Sequence, residues 1–273
     1  MQIGIIGAEN SHTEHFIRTL NLTETGGDAR VAFLYGGDDP EKAEKLARDY
    51  GVRLAESEEE LIALSDAVAI TYRSGSRHGS PAMKVLRAGK PLFNDKPFAV
   101  DLETAKEITT YAREHGIPVT GGSNLKGLPA LASVRESVTP GGLTVISFAA
   151  DVESPYDGYW FYGIHSAELC LALCGYDFTS VKAFRNGDAV VAAVEYPDKR
   201  CLIVNTPSSH DLKIEVIRGG ETKLFPVALE YQSVGPAEFV GMIETGKLPW
   251  ELRHFEKAVE LVERIVRDLE ARA

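Results

Sequence analysis

The opening residues place the strongest constraint on the fold. Gln2-Ile3-Gly4-Ile5-Ile6 is an almost unbroken apolar run that ends in Gly7, and helix-forming sequence resumes at Ser11. Such a run reads as a strand buried on both faces, the habit of parallel sheets. The pattern repeats down the first half of the chain. Strands are expected at 31–35, 67–71, around 92–93 and from 117, with helices at 41–50, 56–64, 81–88 and 101–115 between them. Strand alternating with helix predicts an α/β fold with an N-terminal Rossmann unit, a doubly wound parallel sheet. Local signals agree. Ser11-His12-Thr13-Glu14 matches a capping box, with Phe16, Ile17 and Leu20 as the inner stripe, and Asp39 and Asp101 are expected N-caps.

Gly121-Gly122-Ser123-Asn124 begins a glycine-rich polar stretch, which sets the expected domains at 1–122 and 123–273. The second is read as an α/β domain with an open mixed or antiparallel sheet. Strands at 143–152, 181–186, 189–196, 200–206, 213–218 and 222–226 come largely in hairpin-like succession, with a helix at 164–174. A last helix at 252–269 aligns Phe255, Val259, Val262, Val266 and Leu269 on one face and is expected to pack back on the first domain.

The net charge of −11 and pI near 5.2 argue against nucleic-acid or anionic-membrane partners. No apolar run approaches the length of a membrane span, and no basic leader precedes the first strand, so the expectation is a cytoplasmic protein. Cys170 and Cys174 share a helical face, but nothing completes a tetrahedral set with Cys201. They are expected to be buried small hydrophobes, and no metal is expected.

Three places at the C-terminal edge of the expected sheet carry chemistry, and ligands bind at that edge in open α/β sheets. In the first, the turn after strand one, Gly7 stands at the first fingerprint position, but Glu9 and His12 replace the second and third glycines. A Glu9 carboxylate about 5 Å from a phosphate would cost roughly 3 kcal/mol at an effective dielectric near 20. Gly7, Ala8, Asn10, Ser11 and His12 are the candidate cofactor contacts of this turn. Asp38, after the second strand, is a candidate ribose acid if Gly36-Gly37 bends the chain, which favours NAD over NADP. In the second, Thr71 ends the 67–71 strand, and Tyr72, Arg73 and His78 lie in the loop after it, as further candidate cofactor contacts. Arg73 and Arg77 either meet phosphate and offset Glu9 or balance surface charge. The third is the stretch from Lys90 to Ala99. Gly89-Lys90-Pro91 stops a helix, Leu92-Phe93 forms a short strand, and Asp95-Lys96 stands at its end before Pro97. A lysine held there can stabilise negative charge on an oxygen.

Gly89-Lys90-Pro91 followed by Asp95-Lys96-Pro97-Phe98-Ala99 resembles the hallmark segment of the Gfo/Idh/MocA family, with Asp95 where the family usually has Glu. Gly163-Ile164-His165-Ser166-Ala167-Glu168 is similar to a second family motif, whose leading aspartate is Phe161 here. The resemblance implies an NAD(P)-dependent oxidoreductase acting on a sugar, polyol or related hydroxy or carbonyl compound, with a homodimer or homotetramer as the assembly. By it, Lys96 contacts substrate and nicotinamide, the Lys96–Pro97 bond is cis, and Asn124 faces substrate. Asp95 joins the cofactor contacts. His165 and Glu168, three apart, share a helix face, so a carboxylate there can orient an imidazole that moves a proton. Tyr162 belongs to an aromatic cluster that lines either a substrate pocket or an interface core. The missing glycines at Glu9 and His12, Gly37 at the usual place of the ribose acid, and Phe161 leave a second reading open: a ligand-sensing or regulatory protein on the same fold.

Overall fold

The computed structural model describes residues 1–208 and 210–271. They form two compact units, residues 1–124 with 231–256, and residues 125–230 with 257–271.

In the first unit, β1 (Gln2–Ile6), β2 (Arg30–Tyr35), β3 (Arg53–Leu54), β4 (Ala67–Ile70), β5 (Leu92–Asp95) and β6 (Val119–Gly122) form a parallel sheet. Its order is β3-β2-β1-β4-β5-β6. Helices α1 (Ser11–Leu22), α2 (Pro40–Tyr50), α3 (Glu58–Leu64), α4 (Gly79–Arg87) and α5 (Leu102–His115) connect the strands. The strand order reverses between β1 and β4, so the turns after these two strands flank the crevice where such sheets bind ligands. Asp39 and Asp101 cap α2 and α5 as expected. The expected capping box at Ser11 shifts by one residue: Asn10 is the N-cap of α1, its Oδ1 accepting from His12 N at 3.2 Å.

Gly7 has φ 108°, and a Cβ there would lie 2.8 Å from Tyr72 N, so only glycine lets the two turns meet this closely. Gly121 has φ 139°, and its Cβ would fall 1.8 Å from Asn94 O.

The second unit carries α6 (Leu131–Ser137), β7 (Leu143–Ala149), α7 (Trp160–Cys174), β8 (Ser180–Asn186), β9 (Ala189–Glu195), β10 (Arg200–Thr206), β11 (Leu212–Arg218) and β12 (Glu221–Val227). The sheet is mixed, in the order β12-β11-β7-β10-β9-β8, and β7 and β10 are its parallel pair. Helix α7 packs against β7 and β10. Asn205 fixes it there, donating to Phe148 O and Ser166 Oγ at 2.9 Å each and accepting from Tyr159 Oη at 2.8 Å.

The sequence reading assigns no element to 227–251, yet this stretch carries α8 (Val234–Thr245), and α9 (Leu252–Glu270) follows. The segment Tyr231–Glu256 groups with the first unit instead of the expected second domain. The reason is packing: Phe239 of α8 is fully buried against Phe16 of α1 and Phe93 of β5, with ring centroids 6.4 and 5.8 Å away. Farther on, Phe255 of α9 stacks on Phe98 at 4.6 Å.

Candidate active site

The β1–α1 turn is held from three sides. Thr13 Oγ1 donates to Gly7 O at 2.9 Å, and the Thr71 hydroxyl lies 2.9 Å from Thr13 Oγ1. Lys42 Nζ donates to Glu9 O at 2.7 Å. The Gly36–Asp39 turn swings Asp38 back, so that its carboxylate accepts from Ala8 N at 2.8 Å and Glu9 N at 3.0 Å. Asp38 is thereby oriented beside the turn, as a ribose acid must be. The Glu9 carboxylate pairs with Arg73 at 3.6 Å, so the unfavourable charge at the missing glycine has a counter-ion within the unit.

The β4–α4 loop separates its candidates. Tyr72 is 2% exposed, donates to Glu58 at 2.8 Å and lies under the Arg77 guanidinium at 4.0 Å. Burial, reinforced by Glu58, pushes its phenol far up, so it stays neutral. His78 is fully buried and its Nε2–H donates to Tyr72 O at 2.8 Å. Burial lowers its pKa, and the neutral ring braces the loop.

At the end of β5, Asn94 Nδ2 donates to Phe98 O at 2.8 Å and closes the turn that contains the cis Lys96–Pro97 bond. Asp95 is completely buried and Lys96 nearly so. Burial takes Lys96 down to about 8, with Asp95 opposing and Arg73 assisting. A lysine so placed exchanges its proton near neutral pH, which suits proton and charge management at a reacting oxygen. Burial pushes the Asp95 carboxyl up, but His12 and Lys96 outweigh it and hold the group below the usual carboxylate range. Asn124, also in this unit, is buried so tightly against α8 that a Cβ at Gly235 would come 2.4 Å from its Oδ1.

In the second unit, His165 is buried on α7, its ring edge-on to Phe148 at 6.0 Å and beside Tyr162 at 5.5 Å. Tyr162 is half-buried and also neighbours His210 at 5.7 Å. The Glu168 carboxylate forms a buried ion pair with Lys126, a partner that helical spacing could not reveal. Cys170, Cys174 and Cys201 are buried and free, and Cys170 Sγ lies 3.5 Å from Tyr196 Oη. Among the described residues no cluster of acids, cysteines and histidines could hold a metal ion, and no helix is long and apolar enough to cross a membrane.

Residues 1–123 match the model of an oxidoreductase family with an NAD-binding Rossmann fold, Gfo/Idh/MocA. Over those residues the chain is similar to the Gfo/Idh/MocA family. An inositol 2-dehydrogenase from Burkholderia cenocepacia is 25% identical over 229 residues, covering 79% of this chain and 67% of that protein. An uncharacterized oxidoreductase from Streptococcus pneumoniae is 27% identical over 115 residues, 41% of this chain and 30% of the relative. The matches to these curated relatives thus span from under a third to about two thirds of their length. A solved UDP-N-acetylglucosamine 3-dehydrogenase from Acidithiobacillus ferrooxidans superimposes with a TM-score of 0.83 at 16% identity, covering 99% of this chain and 98% of that one. That likeness shows that the chain shares the fold of that protein.

Proposed function

We propose that this chain is an NAD-dependent dehydrogenase or reductase acting on a sugar, polyol or related hydroxy or carbonyl compound. The observation that carries the reading is Lys96, buried at the C-terminal end of β5 and on the same sheet edge as the Gly7 turn. The turn fits a dinucleotide, because Gly7 brings the backbone closer than any side chain allows and Asp38 is already oriented beside it. A bound nicotinamide supplies or accepts the hydride. Lys96 donates to the reacting oxygen and stabilises the charge that develops there, and His165 is the group assigned to the proton. Asn124 and Tyr162 are assigned to substrate.

Titration with NADH and NADPH, followed by nicotinamide fluorescence and melting temperature, tests the cofactor. A panel of polyols that includes myo-inositol tests the substrate class. NADH is expected to bind at least tenfold more tightly, because an added phosphate about 4 Å from the Asp38 carboxylate costs on the order of 4 kcal/mol at an effective dielectric near 20. Asp38→Ser should narrow that preference, and equal affinities in the parent protein would remove the role given to Asp38. One observation favours the sensing alternative: the Glu9 carboxylate, paired with Arg73, stands where a dinucleotide turn has its second glycine. Binding without turnover across the panel would establish that reading.

The sheet of the second unit supports self-association. Its face away from α7 carries Val145, Val191, Ala193, Leu202 and Val204, all half-buried and aligned across β7, β10 and β9. An apolar sheet face of this kind is the usual core of a homodimer interface. Leu202→Lys with Val204→Lys is expected to reduce the mass in light scattering to that of a single chain. A parent protein that already runs as a monomer at micromolar concentration would remove this part of the proposal.

A further inference from the structure

The third glycine of a dinucleotide-binding turn serves close packing of helix against strand, and here that position holds His12. The imidazole does not turn out to solvent. It is 5% exposed, and its Nδ1–H donates to Asp95 Oδ2 at 2.7 Å. Asn10, the N-cap of the same helix, donates to the same oxygen at 3.1 Å. The other oxygen, Asp95 Oδ1, is equally buried and has no hydrogen-bond partner among the described residues. The His12 ring is packed by its neighbours, with Tyr231 edge-on at 5.8 Å and His15 at 5.7 Å. Two residues that open α1 therefore grip the carboxylate that precedes Lys96 in the chain.

We propose that His12 is a positioning residue: its bond to Asp95 ties the nucleotide turn to the strand end that carries Lys96, so that the state of the turn and the charge of Lys96 are coupled. The proposal rests on the reading of Lys96 as the group that meets the reacting oxygen. Its physical basis is the balance of charges around that lysine. Asp95 favours the ammonium, whereas burial and Arg73 oppose it. His78, on the α4 side, and His12 and His15, on the α1 side, are further titratable groups that act on the Asp95–Lys96 pair. A buried carboxylate stays ionised only while donors hold it. Without His12, Asp95 takes up a proton more readily, and Lys96 loses the charge that sustains its own proton.

The coupling can be read without cofactor or substrate. In the apo protein, 15N NMR follows the titration of Lys96 in the parent, His12→Ala, His12→Asn and Asp95→Asn. His12→Ala is expected to move the Lys96 midpoint down by about one pH unit. An asparagine amide can replace the Nδ1–H donor, so His12→Asn should restore most of the parent value. Asp95→Asn removes the charge while keeping the shape, and should move the midpoint the same way as His12→Ala even if that variant folds poorly. With NADH and a substrate that turns over, the alkaline limb of kcat/KM should move in parallel. An unmoved Lys96 midpoint in both His12→Ala and Asp95→Asn overturns the proposal. Failure of the parent to bind NADH would overturn the oxidoreductase reading alone, since the apo titration stands apart from it.

Discussion

Lys96→Met is expected to abolish turnover and at the same time to stabilise the protein. Removing a donor that stabilises the charge developing on the reacting oxygen typically costs on the order of 10²–10³ in rate, and the loss should appear in kcat while NADH still binds. The stability effect follows from linkage. Folding takes the lysine from its usual 10.5 to about 8. Between those values the unfolded chain holds a proton that the folded chain has lost, so stability rises as pH climbs from 8 to 10.5. Below pH 8 the full cost of burying the ammonium applies. At about 1.4 kcal/mol per unit of pKa, that cost is at most roughly 3–4 kcal/mol. Methionine has similar length and no charge, and Asp95 keeps His12 and Asn10 as partners. The melting temperature of the variant at pH 7 should therefore exceed that of the parent, with the gap closing towards pH 10. The parent's kcat/KM should fall above about pH 8, where the donating ammonium is lost. A rate that instead rises through pH 8 would make Lys96 a base, and an active Lys96→Met would remove it from the chemistry.

This opposition between stability and activity explains why the segment around Lys96 stands out in the sequence. A lysine at the end of an apolar strand breaks the local pattern, and such breaks are where function is to be sought. The elements that local signals govern were legible: the strands of the first sheet other than the two-residue β3, the caps at Asp39 and Asp101, and the hairpins of the second sheet. Pairings across long stretches of chain were not. His12 reads as a missing glycine, and nothing within its own turn announces a partner 83 residues away. Asp38 reads as a candidate ribose acid, and only the folded chain shows its carboxylate on the amides of Ala8 and Glu9. Helix α8 escaped notice because Gly235-Pro236 near its start and Gly241 within it look like loop sequence. Tertiary burial of Phe239 supplies what helix propensity lacks there.

The second large effect concerns Glu168, where spacing suggested a partner for His165 or for substrate and the structure supplies Lys126. Both members of the ion pair are only a few per cent exposed. Removing one member of a buried pair strands the other charge, at a cost of about 3–5 kcal/mol. Glu168→Gln is therefore expected to lower the denaturation midpoint sharply, with Lys126→Met acting in the same direction. The double replacement Lys126→Met with Glu168→Leu should recover most of the loss, because two apolar groups of similar volume need no mutual charge. A double-mutant cycle in urea separates the pair's coupling from the packing of each side chain. A substrate role for Glu168 predicts a different pattern. Glu168→Gln would then raise KM for the polyol and leave the midpoint within about 0.5 kcal/mol of the parent, as expected where no structural feature is lost. The two outcomes are distinguishable in a single variant. The buried pair favours the first, because a carboxylate already neutralised inside α7 has little of its charge left to offer a ligand.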